Sequence, residues 1–116
     1  MDKKFYITTP IYYPSAKPHM GHAYSSIIAD FFARFKRMDG FEVQFLTGTD
    51  EHGLKIQRSA EKQNINPLEF CNQISQTFRD LSQTLNLTNT DFIRTTEDRH
   101  KKTVQYLWKE LEKNDD

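Results

Sequence analysis

Pro18-His19-Met20-Gly21-His22 decides how this chain is read, because a short strand, a proline-rich loop and a long helix should meet there. Upstream, Phe5 to Thr8 has the pattern of a short buried strand. Pro10, Pro14 and Pro18 then hold the chain in an extended, non-helical path. Downstream, Ile27, Ile28, Phe31, Phe32 and Phe35 recur at helical spacing as far as Met38, and Gly40 supplies the stop. His19 and His22 therefore fall in the first turn of a helix, at the junction where a mononucleotide fold presents its phosphate-binding groups.

Working outward, Val43 to Leu46 forms a second apolar run, so strand, loop, helix and strand follow one another as in one right-handed crossover unit with two parallel strands. Thr47 to Gly53 is then the loop leaving the second strand, at the same carboxyl edge as the histidine loop. Leu54 to Gln63 reads as a helix. Pro67 opens another, whose packing face carries Phe70, Ile74, Phe78, Leu81 and Leu85. Phe92 to Arg94 fits a third strand. The capping pattern Thr95 to Asp98 and a helix with Val104, Leu107, Trp108 and Leu111 as its buried stripe follow. The implied class is α/β, with a parallel sheet that binds nucleotides. Such a sheet needs both faces covered and more than three strands, so residues 1–116 are expected to be the first half of a larger Rossmann-like domain.

Sixteen Lys plus Arg balance sixteen Asp plus Glu, which leaves no net basic field to hold a nucleic acid by phosphate neutralisation alone. The single cysteine, Cys71, excludes an intrachain disulfide and reads as a small core residue beside Phe70 and Ile74. No apolar run approaches the length of a membrane span, and the first strand begins too early to leave room for a targeting peptide. A cytoplasmic protein is expected.

Three of the four glycines, Gly21, Gly48 and Gly53, and three of the four histidines, His19, His22 and His52, lie in the two converging loops. Two imidazoles three residues apart face one side of a helix start. Free backbone N–H groups and the dipole already favour a phosphate there, and ring N–H groups would add hydrogen bonds. Gly21 lets a flat purine approach the backbone. Asp50 could pair with a ligand ammonium, and Tyr13 could wall its side chain. Each has a plainer reading. The histidines could be surface or core residues, Gly48 and Gly53 ordinary turn glycines, Asp50 a helix cap and Tyr13 loop packing. Arg34, Lys36, Arg37, Lys101 and Lys102 read as solvated helix faces.

Thr9-Pro10-Ile11-Tyr12-Tyr13-Pro14, Pro18 to Tyr24, Phe45 to Gly53 and Phe92-Ile93-Arg94-Thr95-Thr96 together resemble the start of the methionyl-tRNA synthetase family, a class I aminoacyl-tRNA synthetase group. His19-Met20-Gly21-His22 resembles the HIGH signature of that class, which by itself also admits adenylyl-transferring nucleotidyltransferases. The resemblance implies ATP-dependent activation of methionine to methionyl-AMP and transfer of the methionyl group to tRNA(Met). By the same resemblance, His19 and His22 stabilise the phosphates in the transition state and Gly21 accommodates adenine. Asp50 holds the methionine ammonium, and Ile11 and Tyr13 border its side chain. The implied nucleotide substrate is ATP with Mg2+, and any zinc would belong only to the family's connective insertion. That insertion, the lysine-rich KMSKS half of the site and the anticodon-binding domain have no counterpart in these 116 residues, so the chain alone is expected to be inactive and to need the remainder of the catalytic domain as partner. Ser15 and Leu54 depart from the asparagine and glutamine that the family pattern leads one to expect. Two alternatives remain: a free-standing HxGH-type nucleotidyltransferase, and a metal-binding or interaction module built on His19, His22, His52 and Cys71, although these lack a closed four-ligand spacing.

Overall fold

The computed structural model describes residues 3–114, so the two residues at each end of the expected 1–116 unit lie outside the described residues. Strand β1 (Lys4–Thr8) leads through the proline loop into helix α1 (Met20–Met38) and strand β2 (Glu42–Thr49). Helices α2 (Leu54–Lys62) and α3 (Pro67–Thr84), strand β3 (Asp91–Arg94) and helix α4 (Asp98–Lys113) follow. The three strands form one parallel sheet in the order β1-β2-β3, with Phe5 opposite Val43, Ile7 opposite Phe45 and Thr47 opposite Phe92. The expected strands, their direction and the succession of helices are all present.

One face of the sheet is covered. Val43 and Phe45 of β2 are buried against Ala29 and Ala33 of α1, with Phe5, Ile7 and Phe41 at the margin. Small side chains on the buried face of α1 let its backbone approach the sheet, and fully burying Phe45 contributes about 3 kcal/mol. On the same side Phe92 meets Tyr12 and Phe78, and α2 locks onto α3 through Ile56, Ala60, Phe70 and Cys71. Tyr6 and Gln44, whose side chains alternate to the other face, stand exposed. The result is a slab only 19 Å thick, with a radius of gyration of 16.5 Å against about 13 Å for a compact chain of similar length.

That open construction corrects several expectations. The apolar stripe Ile27, Ile28, Phe31, Phe32 and Phe35 does not face the sheet. Those residues are exposed, and Ser26, Ala29, Asp30 and Ala33 form the buried side. The strongest hydrophobic periodicity thus identified a helix correctly and its inward face wrongly. The same holds for α4, which has no buried residue, and Trp108 is 65% exposed. β1 is half-buried on one side and exposed on the other, rather than buried throughout. β2 runs on to Thr49, so Thr47 and Gly48 belong to the strand and the loop starts at Asp50.

Arg34 and Arg37 are not idle surface charges. Asp30 accepts from the Thr88 backbone N–H at 2.7 Å and from Arg34 Nε at 2.7 Å, and Arg37 donates to the Thr88 carbonyl at 2.9 Å. Arg34 also reaches the Asn86 carbonyl. Together they pin the connection entering β3 to α1. Burial would raise the Asp30 pKa, but hydrogen bonds from Thr88 and the Arg34 guanidinium outweigh it and hold the carboxyl below its ordinary value.

Candidate functional site

His19 is the N-cap of α1, one position before the first turn, and His22 is the third helical residue. His19 Nδ1 accepts from the Gly21 N–H at 3.0 Å, and His22 Nδ1 accepts from the His19 N–H at 3.0 Å. This is a capping box built from two imidazoles, where hydroxyl and carboxylate side chains usually serve. A neutral ring whose Nδ1 accepts must carry its proton on Nε2, so each imidazole keeps an Nε2–H donor for another partner. The rings lie side by side, 4.0 Å between centroids and tilted by 36°. Burial, and to a lesser extent the adjacent His19, lowers the His22 pKa and keeps that ring neutral. The Gly21 N–H expected to be free for a phosphate is thus occupied, and the two Nε2–H groups, bonded to nothing among the described residues, are the donors that remain.

Gly21 has a structural reason of its own. A Cβ at this position would lie 2.9 Å from His19 Cε1, inside the space the capping ring occupies. Gly48 is not a turn glycine. A Cβ there would overlap the Ile93 carbonyl oxygen on β3, so its absence permits the close approach of two strands. Gly53 has φ of +117°, and a Cβ would strike the Tyr13 hydroxyl.

The two loops do converge. Tyr12 bridges to Thr49 in parallel fashion: its N–H donates to the Gly48 carbonyl at 2.9 Å, and its carbonyl accepts from the Asp50 N–H at 2.8 Å. Tyr13, next in the chain, donates from its hydroxyl to the His52 carbonyl at 2.7 Å. Ile11 and Tyr13 flank buried Tyr12 and are 41% and 36% exposed, on the accessible side of the loop. Asp50 sits half-buried where β2 ends. It does not cap α2, whose N-cap is Gly53 with no side-chain bond.

Glu51 is the anchor that the sequence reading missed. Its side chain is fully buried beside Arg94. Arg94 Nε reaches Oε2 at 2.8 Å and Nη2 reaches Oε1 at 2.9 Å, while Thr49 and Thr96 hydroxyls donate to the same carboxylate at 2.6 and 2.7 Å. The Glu51 N–H donates to Thr95 Oγ1 at 2.8 Å. Thr95 and Thr96 therefore serve Glu51 instead of capping α4, whose N-cap is Glu97. The bond from Glu51 first, and its charge, raise the Arg94 pKa against the opposing effect of burial. Glu51 and Arg94, of opposite charge and each near threonines, were the available signal, but nothing local joins them. His52, between these groups, places Nε2 3.2 Å from the Thr95 carbonyl.

Among the described residues no three His, Cys, Asp or Glu side chains gather closely enough to hold a metal ion. Cys71 is buried with its thiol 3.7 Å from the Glu51 carbonyl, and burial, then the Glu51 charge, push its pKa up to about 11 despite Arg94. It is a core residue, as expected, and an unreactive thiol. No described helix is long and apolar enough to cross a membrane.

With this geometry in hand, residues 5–116 match the family described as tRNA synthetases class I (M). The chain is 54% identical over 110 residues to the mitochondrial methionine–tRNA ligase of Takifugu rubripes, covering 95% of this chain and 19% of that protein. It is 54% identical over 111 residues to the methionine–tRNA ligase of Rickettsia bellii, with 96% and 22% covered. Among solved structures, Mycobacterium tuberculosis methionyl-tRNA synthetase bound by methionyl-adenylate superposes with a TM-score of 0.96 at 42% identity, over 98% of this chain and 23% of that one. The chain spans about a fifth of the length of these relatives.

Proposed function

The chain belongs to the class I tRNA synthetases of the methionine type, and from that premise we propose that it is part of a methionine–tRNA ligase. In this reading, residues 1–116 are the N-terminal half of a Rossmann-like catalytic domain. The full protein joins methionine to ATP, taken with Mg2+ as the substrate complex, and passes the methionyl group to tRNA(Met). A cytoplasmic location goes with it. The observation that carries the reading is the pair of Nε2–H donors that the imidazole capping box leaves without a partner among the described residues, at a helix start joined through Tyr12 to the loop bearing Asp50.

The chemistry asked of these residues is modest. A methionine carboxylate oxygen attacks the α-phosphorus of ATP, forming one P–O bond while the bond to pyrophosphate breaks. His19 and His22 donate from Nε2 to phosphate oxygens as charge develops there, from positions fixed before the substrate arrives. Asp50 takes the methionine ammonium, Ile11 and Tyr13 border its side chain, and Gly21 accepts the adenine face. None of them serves as nucleophile or proton shuttle. With no net positive charge on these 116 residues, neutralising the triphosphate falls to groups in the rest of the longer protein.

The test is methionine-dependent exchange of pyrophosphate into ATP by the full-length protein. His19→Ala or His22→Ala should slow exchange about a hundredfold, the loss typical of a missing transition-state donor, with methionine affinity within about twofold. Asp50→Ala should instead abolish methionine binding. Normal methionine affinity in Asp50→Ala would overturn its assignment, and equal losses of binding and rate in the histidine variants would make them fold residues.

A further inference from the structure

We propose that Tyr12 is a positioning residue that holds His22 and Asp50 in one frame during methionine activation, an inference that rests on the function proposed above. Its backbone belongs to one half of the site and its side chain to the other. The Tyr12 carbonyl fixes the Asp50 N–H, and the Tyr12 N–H is tied to Gly48, so the main chain here moves with the end of β2. The side chain runs the opposite way, into α1. Its hydroxyl donates to the His22 carbonyl at 3.3 Å and lies 2.7 Å from Ser26 Oγ, one helical turn beyond His22. Its ring meets the His22 imidazole edge to face, centroids 4.8 Å apart, and stacks on Phe78 at 5.6 Å. Phe78, stacked on Tyr12, packs against the same imidazole edge to face at 5.0 Å. His22 is thereby held by its own cap, by Tyr12 and by Phe78, which leaves its Nε2–H little freedom to wander.

Packing alone does not account for the hydroxyl. A phenylalanine would fill the same space, yet Tyr12 is only 8% exposed and Ser26 only 3%, so two polar groups have been taken out of water to satisfy each other. That pairing makes the idea separable from a structural role. Removing the Tyr12 hydroxyl strands that of Ser26 in the interior, whereas removing both leaves an apolar contact of nearly the same shape; Ser26→Ala alone leaves Tyr12 its bond to the His22 carbonyl.

The experiment uses the full-length protein with Tyr12→Phe, Ser26→Ala and the double variant. Pyrophosphate exchange and thermal unfolding are measured on each. Tyr12→Phe should lose stability and show kcat lowered about fivefold, the rate equivalent of one net hydrogen bond, and Ser26→Ala, in which Tyr12 still donates to the His22 carbonyl, should keep kcat within about twofold of wild type. The double variant should regain the wild-type melting temperature while its kcat stays about fivefold low, with methionine KM within about twofold throughout. A double variant that recovers both stability and kcat would overturn the proposal, as would a loss confined to KM. A wild-type protein without methionine-dependent exchange would instead overturn the functional reading and this inference with it.

Discussion

The histidine loop and the Asp50 loop meet at one sheet edge but are fastened in different ways. In the first, the bonds that orient the imidazoles span two and three residues, from His19 to Gly21 and from His22 to His19. In the second, the bonds that fix Glu51, and with it the neighbouring Asp50, cross 43 to 45 residues to Arg94, Thr95 and Thr96. A locally fastened loop is set as soon as its helix forms. A loop held across the sheet is set only when β3 has docked. The cap of the first should therefore tolerate damage elsewhere in the domain, and the second loop should not.

The most severe test of this contrast is Arg94→Ala. It leaves the Glu51 carboxylate buried without its cation, and the full-length protein should lose about 3 kcal/mol in denaturant unfolding, the low end for breaking such a pair. Methionine affinity should fall with it through the Asp50 loop. Wild-type stability in this variant would show that the loop is not held across the sheet. Next in size is Gly48→Ala, which drives a methyl into the Ile93 carbonyl. It should cost about 2 kcal/mol by forcing β2 and β3 apart, and the Thr47 and Thr49 amides, which face β3, should lose hydrogen-exchange protection. His19→Asn is milder, because asparagine is itself a good N-cap. Stability should stay within about 0.5 kcal/mol while exchange activity falls as it does in His19→Ala, separating the capping role of this position from its donor role.

The smallest effect concerns pH. The folded pKa of His22 lies below its ordinary value near 6.5, so the unfolded chain takes up the proton first. Stability from this group is complete above that pH and declines as pH falls below it towards the folded pKa. Protonation also removes the Nδ1 acceptor and opens the capping box. Melting temperature should drop between pH 7 and pH 5.5, and less so in His22→Asn. The Asp30 carboxyl, whose pKa is lowered from 3.8, contributes its own loss only as pH falls through the carboxylate range.

The parallel strands, the helix start at the histidines and the convergence of the loops were legible because each rests on a short-range cue: apolar runs, proline spacing and glycine stops. The faces of α1 and α4 were not. Periodicity marks which residues share a side, but Ile27, Phe31 and Trp108 share a side that the described residues leave uncovered, and small Ala29 and Ala33 face the sheet instead. Arg34 and Arg37 were misread for a related reason. Their partners, Asn86 and Thr88, lie about fifty residues away, and a charge on a helix looks the same in sequence whether it meets water or a carbonyl.

By itself, the sequence determined the family and the order of elements, and it supplied the residues proposed to meet the substrate, since these depend on residue type and near spacing. Tertiary structure alone decided why Gly48 must lack a side chain and how Tyr12, Glu51 and Arg94 bind the two loops into one edge. Those outcomes depend on groups brought together by the sheet, and a buried hydroxyl or carboxylate acquires its role only from the partner that folding places within hydrogen-bond reach.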